Sequence, residues 1–226
     1  MPCGVSKLVS VKIIPHKAML PLLNFNIFTE VITERFKKPL PGLQAQLKMA
    51  PPYRSPIDPV GGYRMGSVLL LIKNKQEQPH LILIERAQDG KVHSGQIAFP
   101  GGRVEEGEQL THTAFRETFE EIGVESKNIK LIGALTKLYI PPSNFMVYPF
   151  VALIESPVNY KLNDFEVKRI IELPLADLVK PTSINLHAQH LTTNGTVTAP
   201  CYEWNDIKIW GASCMILAEF LSLFDT

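Results

Sequence analysis

Apolar residues recur at helical spacing soon after position 25, where Phe28, Val31, Ile32 and Phe36 share one face. Asn26 stands there as a candidate cap, and Lys37 and Lys38 sit at the end that favours positive charge. The pattern then breaks. Residues 39–59 are rich in proline, which neither continues a helix nor donates to a strand ladder, so an extended connector is expected. Residues 64–73 and 79–86 are β-rich runs flanking a polar stretch at 74–78 and read as a hairpin or as adjacent strands. After a long loop, a helix is expected over 109–122 and strands over 130–139, 147–154 and 167–173. Residues 175–179 suggest a short helix, and 186–204 a hairpin turning at Asn194-Gly195. Residues 206–210 lead into a last helix ending near Phe224, whose Ile216, Leu217, Phe220, Leu221 and Phe224 form a core-facing stripe. Strands interleaved with helices predict an α/β sandwich with a mixed sheet. The expected division is an N-terminal extension over 1–60, with one helix and the connector, followed by a compact domain over 61–226.

Composition narrows the classes. A chain of 226 residues with 45% hydrophobic content supports a packed core. The formal net charge is +1 and the longest basic block is Lys37-Lys38, so there is no electrostatic footprint for nucleic acid. Cys3, Cys201 and Cys214 form no CxxC pair, which argues against a disulfide framework and a zinc site and fits a reducing, cytoplasmic setting. The longest apolar run, 67–72, has strand length and is far short of a membrane span. No acidic residue precedes Glu30, yet the start has no arginine and no continuous apolar stretch, so a disordered start is favoured over a targeting peptide. Met19 is an alternative initiator.

The strongest chemistry lies in 102–124. Glu117, Glu120 and Glu121 share a helical face, where each like-charge pair costs roughly 0.2–0.5 kcal/mol. Gly123 is a natural helix stop, so the cluster falls in the last turn, where the macrodipole also disfavours negative charge. A divalent ion held by hard oxygen ligands reverses both penalties. The spacing is more specific still: Gly102, five residues, Glu108, seven residues, then Arg116, Glu117, Glu120, Glu121 and Gly123.

That segment resembles the Nudix box, G-x5-E-x7-R-E-U-x-E-E-x-G-U, at every fixed position, with Thr118 and Val124 at the U sites. The resemblance implies a Nudix-type α/β/α sandwich and hydrolysis of a diphosphate with Mg²⁺ or Mn²⁺. It implies that Glu117 and Glu121 bind the ions most directly, that Glu120 joins or bridges them, and that the Gly101 carbonyl adds an oxygen. Arg116 would brace the loop by pairing with Glu108, while Gly102 and Gly123 serve the backbone. Carboxylates engaged with an ion are poor bases. In many Nudix enzymes a glutamate outside the box takes the proton, and Glu166 is favoured over Asp164 for that place, with direct use of Glu120 open.

Just upstream, Ile82, Leu83, Ile84, Glu85, Arg86, Ala87, Lys91, Gly95 and Phe99-Pro100-Gly101-Gly102 resemble the signature of coenzyme A pyrophosphatases, L-L-T-x-R-[SA]-x3-R-x3-G-x3-F-P-G-G. The departures are Ile82 for Leu, Ile84 for Thr and Lys91 for Arg. The last replaces a planar bidentate group with a point charge. Arg86, Lys91 and His93 are the candidate phosphate contacts, whereas Phe99, Phe145, Pro149 and Trp210 read as core or loop-locking residues. The expected substrate is coenzyme A, an acyl derivative or a related nucleoside diphosphate derivative, cleaved to 3′,5′-ADP and 4′-phosphopantetheine or its acylated form. ADP-ribose, dinucleotides or nucleoside triphosphates are the alternative substrates, and a nucleotide sensor without turnover is the alternative of another class. Neither nucleic acid nor membrane is expected as a partner, and a homodimer is compatible with the chain.

Overall fold

The fold is described from a computed structural model covering residues 22, 24–52, 59, 61–87, 95–192 and 195–225. Its centre is β1 (Arg64–Lys75), a nearly continuous apolar run buried on both faces, as a strand covered on both sides must be. It turns into β2 (Gln78–Arg86) through Gln76 and Glu77 alone, with φ of 53° and 64°. Paired positive φ values match the twist of adjacent strands, so the hairpin is tighter than the five-residue turn expected at 74–78.

β1 and β2 pair from Leu71↔Ile82 to Lys75↔Gln78 and then splay apart. The short strands β3 (Ile97–Ala98) and β4 (Gly101–Arg103) fill the fork: Ala98 pairs with Ile84 of β2, and Gly101 with Val68 of β1. On its other edge β1 runs parallel to β7 (Phe145–Ile154), which pairs antiparallel with β5 (Ile129–Ala134) and β6 (Leu138–Ile140). β8 (Val167–Pro174) closes the far edge of β2. Eight strands thus form one mixed sheet. The single strand expected at 130–139 is two: Leu135 N–H still donates to Pro149 O of β7 (2.9 Å), but Thr136 N–H turns to the carboxylate of Glu219.

The pleat divides the core. Leu69, Leu71, Ile82, Ile84, Phe150 and Ala152 face one way, under Ala114 and Ile122 of α3 (Leu110–Ile122). Leu70, Ile72, Leu81, Leu83, Val151 and Leu153 face the other way, toward α1 (Phe25–Arg35) and α5 (Gly211–Ser222). The arrangement is an α/β/α sandwich, as expected. The α4 turn (Leu175–Leu178) leads to a second, antiparallel sheet of β9 (Ile184–Thr192), β10 (Gly195–Trp204) and β11 (Ile207–Trp210). Thr192 pairs with Gly195, and the residues between them lie outside those described. Trp210 stacks on His190 with ring centroids 4.5 Å apart, a packing role. Among the described residues no helix is long and apolar enough to cross a membrane.

Two expectations about the N-terminal segment change. The cap of α1 is Asn24 rather than Asn26: Asn24 Oδ1 accepts from Ile27 N–H at 3.1 Å. Within 39–59, α2 (Gly42–Leu47) interrupts the extended connector, since Pro41 precedes its first turn, where proline is tolerated. The buried carboxylate of Glu219 on α5 accepts from Gly42 N–H (3.1 Å), Gln46 Nε2 (2.7 Å) and Thr136 N–H (3.2 Å), clipping α2 to the core. Phe28 of α1 is fully buried and stacks on Phe224 at 5.7 Å. Phe28→Ala is therefore expected to cost about 3–5 kcal/mol in urea-induced unfolding. A loss under about 1 kcal/mol would show that α1 is not part of the cooperative core.

Candidate functional site

The fork between β1 and β2 holds Gly101 and Gly102 between a strand and α3. A Cβ on Gly101 would lie 2.3 Å from Ser67 O, and one on Gly102 would lie 2.3 Å from the Glu117 carboxylate. Gly101 also has φ of 150°, outside the range of ordinary L side chains. Two residues without side chains therefore let α3 lie close enough for its carboxylates to reach the backbone.

Gly101 N–H donates to Glu121 Oε2 at 3.0 Å, and Arg86 Nη1 stands 3.7 Å from Glu121 Oε1, an ion pair too long for a hydrogen bond. Glu121 is only 1% exposed, and burial pushes its carboxyl up to about 8 against the bond from Gly101 and the charge of Arg86. Burial also raises Glu117, with Arg116 opposing and Glu120 and Glu166 adding repulsion. Glu120 is half exposed.

Arg116 grips Glu108 through Nε (2.9 Å) and Nη2 (3.0 Å), a bidentate pair, and reaches Glu117 (3.0 Å) and Glu120 (3.2 Å) through Nη1. Its hydrogen bonds, with one from Thr113 Oγ1, hold the Glu108 carboxyl down to about 2 despite burial. As the side chains stand, no group of three or more His, Cys, Asp or Glu among the described residues is already converged on an ion, since Arg116 draws Glu117 and Glu120 toward itself.

This glycine-lined, carboxylate-rich segment lies inside a recognised domain: the NUDIX domain family matches residues 63–194. The chain belongs to the Nudix family. It is 34% identical over 158 residues to the Nudix hydrolase NudL of Yersinia pestis, covering 68% of this chain and 76% of that one. It is 28% identical over 177 residues to Nudix hydrolase 3 of Caenorhabditis elegans, covering 70% and 72% of the two chains. Among solved structures, the MutT protein of Methanosarcina mazei superposes with a TM-score of 0.48 at 16% identity, over 74% of this chain and 96% of that one. Nudix hydrolases as a class work with divalent metal ions.

In this Nudix chain α3 ends at Gly123, where φ is 75° and the N–H donates to Phe119 O at 2.8 Å. Glu166 lies beside the box. Its carbonyl accepts from Ala87 N–H (2.8 Å), and its charge reaches both Glu117 and Glu121. Asp164 occupies the same turn. Lys91 and His93 fall outside the described residues.

Asn163 has a role that spacing alone did not reveal. Its Nδ2 donates to Glu166 Oε1 (3.2 Å), and its N–H donates to Glu121 O (3.0 Å), so it ties the Glu166 turn to the Nudix helix. Only its place three residues before Glu166 hinted at this. Phe99 is buried, and Phe145 lies under Arg64 at 4.4 Å, both packing roles as expected.

The two glycines should differ on substitution. Gly101→Ala meets backbone and a positive φ, each worth about 1–3 kcal/mol, whereas Gly102→Ala meets the movable end of Glu117. Equilibrium unfolding should show the larger loss for Gly101→Ala; equal losses would contradict this account of the fork.

Proposed function

We propose that this Nudix hydrolase cleaves the diphosphate of coenzyme A or its acyl derivatives, giving 3′,5′-ADP and 4′-phosphopantetheine or its acylated form, with Mg²⁺ or Mn²⁺. The observation that carries the reading is the position of Arg86, the arginine of the coenzyme A pyrophosphatase-like segment, against the buried carboxylate of Glu121. It stands where it can reach a phosphate oxygen brought to that carboxylate cluster. ADP-ribose, dinucleotides and nucleoside triphosphates are the competing substrates.

The residues fit a hard cation. Glu121 is buried with one hydrogen bond from Gly101 and a loose pair with Arg86, and the Gly102 cradle admits the Glu117 carboxylate where a side chain would fill the space. Glu117 and Glu121 would hold the ion most directly, with Glu120 and the Gly101 carbonyl completing the protein ligands. When bound, the ion neutralises the diphosphate oxygens that otherwise repel a nucleophile. Glu166, oriented by Asn163 Nδ2, accepts the proton of the attacking water. Arg86 contacts the phosphate oxygens. Arg116 positions the loop through Glu108 and limits how far Glu117 and Glu120 swing. A location in the cytoplasm accords with the unpaired, buried Cys201 and Cys214.

Purified protein offered coenzyme A, ADP-ribose, NADH and nucleoside triphosphates, with products identified by mass spectrometry, should cleave coenzyme A preferentially; preference for ADP-ribose would overturn the substrate assignment. Glu166→Gln should lower kcat by about 10²–10⁴ while leaving Mn²⁺ affinity largely intact. Wild-type turnover in that variant would remove Glu166 from the mechanism.

Proton and cation compete for Glu121, whose carboxyl is protonated below about 8. Apparent Mn²⁺ affinity by calorimetry should therefore weaken as pH falls from 8 to 6, with proton release on binding, by up to about tenfold per pH unit. A pH-independent affinity over that range would show that no proton leaves Glu121 when the ion binds.

A further inference from the structure

Phe165 is 90% exposed, whereas the other large exposed apolar side chains among the described residues lie between 38% and 53%. The backbone beneath it is firmly held. Phe165 N–H donates to Asn163 Oδ1 (3.2 Å), and the N–H groups of Glu166 and Val167 donate to Asn163 O (2.9 and 2.8 Å). Asn163 N–H donates to Glu121 O (3.0 Å) and Lys161 N–H to Ile122 O (3.0 Å), while Ala87 N–H donates to Glu166 O (2.8 Å). The turn is thus fastened to the last turn of α3 on one side and to the end of β2 on the other.

The backbone that carries the ring is consequently held beside the end of α3. Its immediate neighbour Glu166 is close enough for its charge to act on both Glu117 and Glu121. Consecutive Cα atoms are about 3.8 Å apart, so the exposed Phe165 is carried on the turn that places Glu166 beside α3. An exposed aromatic surface on a turn fastened beside the carboxylate cluster suits the flat, apolar face of a nucleobase, and the fastened backbone lowers part of the ordering cost of binding.

We propose that Phe165 is the stacking platform for the base of the nucleoside diphosphate derivative cleaved at Glu117, Glu121 and Glu166, an inference that rests on the diphosphatase reading above. Stacking does not depend on which base is present, because every base has a π face. Phe165 therefore sets affinity for the nucleoside end, and hydrogen bonds elsewhere choose among bases.

Steady-state kinetics of Phe165→Ala and Phe165→Trp, with coenzyme A and with a dialkyl diphosphate that has no base, test this. Phe165→Ala should raise KM for coenzyme A by about 5–150-fold with kcat held, Phe165→Trp should restore it, and the base-free diphosphate should show no change. Titrating Phe165→Trp with 3′,5′-ADP should quench fluorescence beyond the change seen in the wild type. The proposal is overturned by an unchanged KM, by an equal loss on the base-free diphosphate, or by a change of oligomeric state in Phe165→Ala, which would assign the ring to a second copy of the chain. If the wild type cleaves no nucleoside diphosphate, the diphosphatase reading fails by itself. The fluorescence titration then decides base binding, and absence of quenching counts against it.

Discussion

The closeness of the Gly101-Gly102 backbone to both β1 and the Glu117 carboxylate is the constraint on which the site depends. One glycine lets the chain lie against Ser67 and Val68, and the other leaves room for the end of a glutamate that a methyl group would displace. The fork of β1 and β2 exists to receive this segment, and β3 and β4 pair with one arm each. The height of α3 above the sheet follows, since Glu121 reaches the Gly101 N–H and Ala114 and Ile122 still pack on Leu69, Leu71 and Ile82. Strand pairing, helix packing and carboxylate placement are thus satisfied by one backbone path.

Electrostatics follows from that path. Burying Glu121 removes water from a charge that one backbone donor and a loose arginine only partly replace, so its carboxyl rises while that of Glu108, gripped bidentately by Arg116, falls. Two glutamates of the same box thereby take opposite roles: Glu108, before the helix, is a structural anion and Glu121, in its last turn, an under-compensated one. The under-compensated group sits at the negative end of α3, which sharpens its demand for positive charge.

Much of this was legible in the sequence, for identifiable reasons. The box spacing placed α3 and its glycine stop because helix geometry is local and a glycine adopts the φ of 75° at position 123 without steric cost. The apolar runs of β1, β2 and β7 were evident because strands covered on both faces must be apolar throughout. Other features depended on distant partners. Glu219 was invisible as a clip because Gly42 and Gln46 of α2 and Thr136 converge on it from two remote segments. The Gln76-Glu77 turn carries neither Gly nor Asn-Gly, and Phe25 N–H donates to Glu77 O at 2.7 Å, a contact made from another part of the chain.

By itself the sequence determined the reaction family, the ladder of carboxylates and the two-faced apolar pattern of the sheet. Each of these is encoded over a few turns or strand repeats, where spacing and geometry coincide. Tertiary structure alone decided which carboxylate is buried, that Arg86 stands close enough to approach Glu121, and that the Asn163–Glu166 turn is fastened to the end of α3. Burial and charge pairing are properties of where segments meet, and no local spacing carries the distance between a β-strand arginine and a helix glutamate.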